Sequence, residues 1–192
     1  MLDELLAYID ENCIARVPAG SRELPSIDGK GFYRWQFYLR SALLEARFLD
    51  MIARTFWDRF SERFARAPFQ LAGVESASLP IITALLLEAH RRGHATHAFS
   101  IRKTRKEYGL RNIVEGRPAN LPVMLVDDLT SPQHKALWHA VNVLQAEGLR
   151  LYETCFVIVS KVPRETAGQI NTSIGSIAIE HLFDLDDFGL TP

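Results

Sequence analysis

The chain has 192 residues, 47% hydrophobic and 23% charged, long enough to bury one sizeable core and too short for two large ones. Its 22 basic and 23 acidic residues leave a formal net charge of -1, which removes any global attraction to nucleic acid or to an anionic membrane. Cys13 and Cys155 stand far apart without CxxC spacing, so neither a disulfide framework nor a zinc knuckle is expected and a reducing, cytoplasmic setting is. Asp3 and Glu4 occupy positions where a secretory leader carries Lys or Arg, and the apolar stretch Leu79 to Leu87 is too short to span a bilayer.

Leu2, Leu5, Leu6, Ile9 and Cys13 recur at helical spacing and predict an amphipathic first helix ending before Pro18. Tyr33, Trp35, Phe37 and Leu39 alternate, which suits a half-buried strand or hairpin arm over Phe32 to Leu39. A long helix is expected from about Leu43 to Ala65, with Phe48, Phe56, Trp57, Phe60 and Phe64 falling at helical intervals as a packing face. The rhythm then alternates: a strand over Phe69 to Val74, a helix over Pro80 to Arg92 and a strand over Thr96 to Ile101. A further strand covers Val123 to Val126, a helix Lys135 to Ala146 stopped by Gly148, and a strand Arg150 to Val159. Such alternation predicts an α/β fold, a mostly parallel sheet flanked by helices. His90, His94 and His97 straddle a helix end and a strand start around Gly93, a spacing that does not bring three rings to one metal.

In an open parallel sheet the ligand lies beyond the carboxyl ends of the strands, so the strand-to-helix junctions carry the functional reading. At Gly73-Val74-Glu75-Ser76-Ala77-Ser78, small residues ahead of a helix N-terminus permit close backbone approach by an anion. At Val126-Asp127-Asp128-Leu129-Thr130-Ser131, two carboxylates can accept hydrogen bonds from vicinal ribose hydroxyls, while Thr130, Ser131 and helix amides can hold a phosphate. Asp127 and Asp128 can serve one ligand only if the chain turns there, and helix capping by Asp128 or Thr130 is the competing reading. The third junction gathers Arg102, Lys103, Arg105, Lys106 and Arg111, the composition of a solvated loop or of a cationic lid over a polyphosphate. It lacks the interleaved aromatics of a nucleic-acid patch apart from Tyr108.

Taken in order, GVESASLP, IRKTRKEYGLRNIVEG, VMLVDDLTS and NVLQAEGLRL resemble the successive landmarks of the orotate phosphoribosyltransferases, over roughly Gly73 to Val159. The resemblance implies a type I phosphoribosyltransferase fold in a single domain over 1–192, with a helix and small hood in 1–40 and the core in 41–192. It implies transfer of phosphoribosyl from phosphoribosyl pyrophosphate (PRPP) to a pyrimidine-like base, with magnesium bound through the substrate near Asp127 and Asp128. It further implies a homodimer that shares a mobile Arg102 to Arg111 loop. By position, Lys103, Lys106 and Arg102 match the loop cations at pyrophosphate, and Tyr108 stands where members have His or Tyr. Asp127 and Asp128 match the acidic pair at the ribose, and Glu75, Ser76, Ala77 and Ser78 the pyrophosphate loop.

Three positions depart from the family pattern. Thr130-Ser131 is followed by Pro132-Gln133-His134-Lys135 in place of a Thr- and Gly-rich phosphate loop, leaving His134 and Lys135 to replace lost amides with charge. Ala77 stands where many bacterial members carry a lysine, and Lys161 where an arginine that holds orotate's carboxylate is expected. Two readings follow: a phosphoribosyltransferase, or a catalytically silent relative that binds PRPP or a nucleotide in a regulatory role.

Overall fold

The computed structural model describes residues 1–25, 31–105, 112–162, 168–172 and 175–191. Helix α1 (Leu2–Asn12) turns Leu5 and Ile9 into the core and rests on the long third helix. Strand β1 (Ile14–Arg16) pairs antiparallel with β4 (Trp35–Phe37), and β2 (Leu24–Pro25) with β3 (Phe32–Tyr33). The strand or hairpin arm expected over Phe32 to Leu39 is two short strands, each an arm of an antiparallel pair. They break at Arg34 because each half takes a different partner, and Leu39 already belongs to helix α2 (Leu39–Ala42). The long helix begins later than its hydrophobic spacing suggests, as α3 (Ala46–Arg66), after a turn closed by the Glu45 N–H donating to the Ala42 carbonyl at 2.9 Å.

Strand β5 (Gln70–Val74), helix α4 (Ser78–Arg91), β6 (Ala98–Ile101), β7 (Val114–Gly116), β8 (Val123–Thr130), α5 (Lys135–Ala146) and β9 (Thr154–Ser160) follow. A hairpin, β10 (Gln169–Thr172) and β11 (Gly175–Asp184), and a short 3-10 turn, Asp186–Phe188, complete the described chain. The seven-stranded sheet runs β10-β11-β9-β8-β5-β6-β7, with parallel pairing from β11 to β6 and an antiparallel strand at each edge. The expected mostly parallel α/β sheet is what forms.

Side-chain alternation along the central strands sorts two hydrophobic layers, one on each face. Met124, Val126, Phe156 and Ile158 face α1, α3 and α4; Val123, Leu125, Cys155 and Val157 face α5. On the first side the aromatic face of α3 is fully engaged: Phe56 lies 5.0 Å from Phe156 between ring centroids, and the buried Trp57 indole N–H donates to the Leu85 carbonyl at 2.8 Å. The same layer takes up His94, whose ring sits 4.9 Å from Trp57 and 5.0 Å from Phe64, with Nε2 3.1 Å from Ser61 Oγ. No described helix is long and apolar enough to cross a membrane.

Candidate functional site at the switch point of the sheet

The chain leaves β5 for β6 on one side and then crosses back to lay β8 on the other, so the strand order reverses between β5 and β8. Helices departing to opposite faces leave a crevice at such a point, beyond the carboxyl ends of the strands. Here the crevice is deepened by unequal strand lengths. β8 pairs with β5 only through Leu125, then runs on to Thr130 with β9 alone, matching Leu129 to Val159 and Thr130 to Ser160. Its end therefore has one open edge, and the acidic pair stands on that edge.

Two neighbouring cavities open there. The larger, about 510 Å³, is walled by Tyr38, Arg40, Glu75, Ala77, Lys103, Asp127 and Asp128 among others. The second, about 410 Å³, runs from Thr130 through Ala136 to an apolar wall of Leu24, Pro25, Tyr33, Trp35 and Leu185, with Lys161 beside it. Gln36, Leu129 and Ala136 border both. The turn that the sequence required for Asp127 and Asp128 to share a ligand is absent, since the strand continues through both. Both line one cavity, together with Val74 at the end of β5, beyond the last residue pair that joins β8 to β5. Neither Asp128 nor Thr130 caps α5; that position belongs to His134.

Burial pushes both carboxyls above the ordinary carboxylate value, Asp127 the further of the two, and the charge of Asp128 adds to the effect on Asp127. The positive charge of Arg40 acts in the opposite direction on both. Asp127 Oδ1 accepts the Asp128 N–H at 3.0 Å. Arg40 went unnoticed in the sequence: it lies in the N-terminal segment, far from the acidic pair, and no spacing rule connects the two.

The loop after β5 fits its place through Gly73. A Cβ there would collide with the Ser78 side chain and stand 2.5 Å from the Val126 carbonyl. Ser78 is buried and its hydroxyl donates to the Val74 carbonyl at 2.7 Å, so it closes the turn into α4. Ser76 is exposed, and neither serine lines the cavity; Glu75 and Ala77 do. Glu75 accepts the Lys103 N–H at 3.2 Å and lies 3.7 Å from the Arg102 guanidinium, which also stands 3.6 Å from Glu115. Arg102 is thus held by carboxylates at the cavity rim, and its carbonyl accepts the His139 Nε2–H at 2.8 Å. Lys106 and Tyr108 lie outside the described residues.

After β8, Ser131-Pro132-Gln133-His134 forms a turn in which the His134 N–H donates to the Ser131 carbonyl at 2.9 Å. His134 adopts the left-handed conformation, φ 47°, that glycine takes without strain. Its Nδ1 sits 2.9 Å from Thr130 Oγ1, and burial lowers its pKa, favouring the neutral ring. Lys135 is exposed at the cavity lip. Lys161 follows β9, its N–H donating to the Thr130 carbonyl at 2.9 Å. Its ammonium lies over Trp35 at 5.4 Å and Phe37 at 6.0 Å; burial lowers its pKa while Asp128 acts to raise it.

Among the described residues no cluster of three or more His, Cys, Asp or Glu side chains is placed to cage a metal. The adjacent carboxylates Asp127 and Asp128 are oxygen donors of the kind that suits magnesium, which is commonly held by one or two carboxylates with further oxygen ligands.

The architecture is that of the type I phosphoribosyltransferases. Similar solved structures include a phosphoribosyltransferase from Corynebacterium diphtheriae, 21% identical, with 98% of each chain covered and a TM-score of 0.70. The orotate phosphoribosyltransferase of Aeropyrum pernix is 19% identical over 98% of this chain and 96% of that one, TM-score 0.69. That of Mycobacterium tuberculosis H37Rv, in complex with PRPP, is 18% identical over 98% and 91%, TM-score 0.63. No protein-family model matches the sequence.

Proposed function

We propose that this protein transfers the phosphoribosyl group of PRPP to a ring nitrogen of a pyrimidine-like base. The observation that carries the reading is the acidic pair on the open edge of β8, at the junction of two cavities of about 510 and 410 Å³. PRPP has two anionic ends and a ribose between them. Asp127 and Asp128 suit the ribose hydroxyls, and the larger cavity with Lys103 suits the pyrophosphate. The first-turn amides of α5 lack intrahelical partners and, with Thr130, Ser131 and Lys135, suit the 5′-phosphate. Tyr33 and Trp35 offer flat faces to a base, with Lys161 as a point charge for an anionic substituent.

In the proposed reaction the nitrogen lone pair forms a bond to the anomeric carbon as the bond to pyrophosphate breaks. The electron pair leaves on the pyrophosphate oxygen, and the proton of the base nitrogen passes to solvent water. Negative carboxylates near the ribose favour the cationic character that develops at the anomeric carbon, and Lys103 offsets charge on the leaving group. Bound magnesium supplies further charge neutralisation of the pyrophosphate. A homodimer sharing the basic loop belongs to the same proposal, as does PRPP recognition of the kind found in the M. tuberculosis complex.

A second reading, a silent PRPP- or nucleotide-binding module, is favoured by one specific arrangement. Arg102 is engaged by Glu75 and Glu115, and the phosphate loop carries Pro132 and a left-handed His134 in place of glycine. Calorimetric titration with PRPP, with and without magnesium, followed by assay of pyrophosphate release with orotate and other pyrimidines, separates the readings. Magnesium-dependent binding with release is expected. Binding without release under any base selects the silent module, and absence of binding removes both.

A further inference from the structure

We propose that Arg40 is a pyrophosphate-binding residue, a cation preset on helix α2 that faces the acidic pair across the larger cavity. This rests on the PRPP reading of the site and extends it to a residue outside the strand-end loops.

Glu75, Asp127 and Asp128 bring carboxylates to the larger cavity, and the only cations among its described lining residues are Arg40 and Lys103. The turn into α4 contributes no positive side chain, being Glu75-Ser76-Ala77-Ser78. Arg102, at the rim, lies between Glu75 and Glu115 at 3.7 and 3.6 Å. A pyrophosphate entering this space needs more positive charge than Lys103 carries, and among the described lining residues Arg40 is the other cation.

Arg40 is also free to act. No ion pair with another described residue engages it, although its charge is felt by both Asp127 and Asp128. Its backbone is fixed: Leu39 and Ala42 are buried on either side, and α2 packs against β8, the strand that bears the acids. Arg40 therefore lines the cavity from an anchored element, together with the two carboxylates and the exposed Lys103. A planar fork of N–H donors matches two phosphate oxygens at once, which an ammonium does not. In the empty site the charge of Arg40 eases the crowding of two neighbouring carboxylates; with polyphosphate bound it turns to the stronger anion.

The test compares wild type, Arg40→Gln and Arg40→Lys by calorimetry with inorganic pyrophosphate plus magnesium, with PRPP plus magnesium, and with ribose 5-phosphate. Arg40→Gln should weaken pyrophosphate and PRPP binding by roughly ten- to a hundredfold, the scale of lost charge-assisted hydrogen bonds, with ribose 5-phosphate affinity essentially unchanged. Arg40→Lys should recover part of the loss. The side chain is exposed, so the melting temperature should barely move. Unchanged pyrophosphate affinity in Arg40→Gln, or an equal loss for ribose 5-phosphate, overturns the assignment while leaving the PRPP reading in place. If wild type binds none of the three ligands, the PRPP reading fails and the assignment with it.

Discussion

Asp127 is 7% exposed on a strand with one open edge, and its burial, reinforced by the charge of Asp128, sets how it should respond to pH. Its folded pKa lies above the ordinary 3.8, so the folded state binds the proton more tightly than the unfolded chain does. The stabilisation from that proton is complete below the ordinary value, shrinks as pH climbs past it, and is gone once pH exceeds the raised folded pKa. Asp127→Asn cannot ionise, and its Oδ1 can still accept the Asp128 N–H. The variant should therefore melt above wild type at pH 7, with the gap closing toward about pH 3.5. A variant that melts lower at pH 7 would mean that a cation holds the ionised Asp127 in place. At this scale the sequence was legible where chemistry clusters locally: Asp127, Asp128 and Glu75 all reach one cavity. It was not legible for Arg40, brought in by the packing of α2 on β8, nor for Ser78, whose hydroxyl closes a turn that only three-dimensional placement reveals.

The segment from Ser131 to His134 shows how an element can keep its path with altered chemistry. The turn closes normally, Pro132 sits in its second position where a fixed φ is favoured, and His134 takes the left-handed residue at a cost of roughly 1–2 kcal/mol. What the loop lacks is a backbone donor at Pro132 and open space beside His134. Replacing Pro132-Gln133-His134 with Thr-Gly-Gly should relieve the strain, restore donors, and strengthen PRPP binding by roughly ten- to a hundredfold, measured by calorimetry. If the replacement instead abolishes binding that wild type possesses, His134 and Lys135 constitute the phosphate site. Elements were readable from sequence where one periodicity dominated, as in α1, α4, α5 and β5. The end of β8 was not, because Asp127 and Asp128 belong to a residue type depleted in strands, and the segment stays extended only through its ladder with β9. The hairpin β10–β11 is not legible in the sequence although Ile177 and Ile179 alternate toward the α5 layer. Its pairing with β9 joins distant segments, which local patterns do not disclose.

Across the whole molecule, the sheet separates stability from binding. The two hydrophobic layers lie along the middle of the strands, between α1, α3 and α4 on one face and α5 on the other, whereas the acidic pair stands past the last residue pair joining β8 to β5, at the point where strand order reverses. Asp128 belongs to neither layer and is less buried than Asp127. Burial raises its pKa as well, so its negative charge opposes folding at neutral pH, and removing that charge does not weaken the core. Asp128→Asn should keep or slightly raise the melting temperature at pH 7 while weakening ribose 5-phosphate and PRPP by roughly ten- to a hundredfold, because an amide donates where a ribose hydroxyl needs an acceptor. Calorimetry and thermal unfolding on the same preparation decide the matter. Unchanged affinity with a large loss of thermal stability would assign Asp128 to the architecture of the sheet and withdraw it from the ribose site.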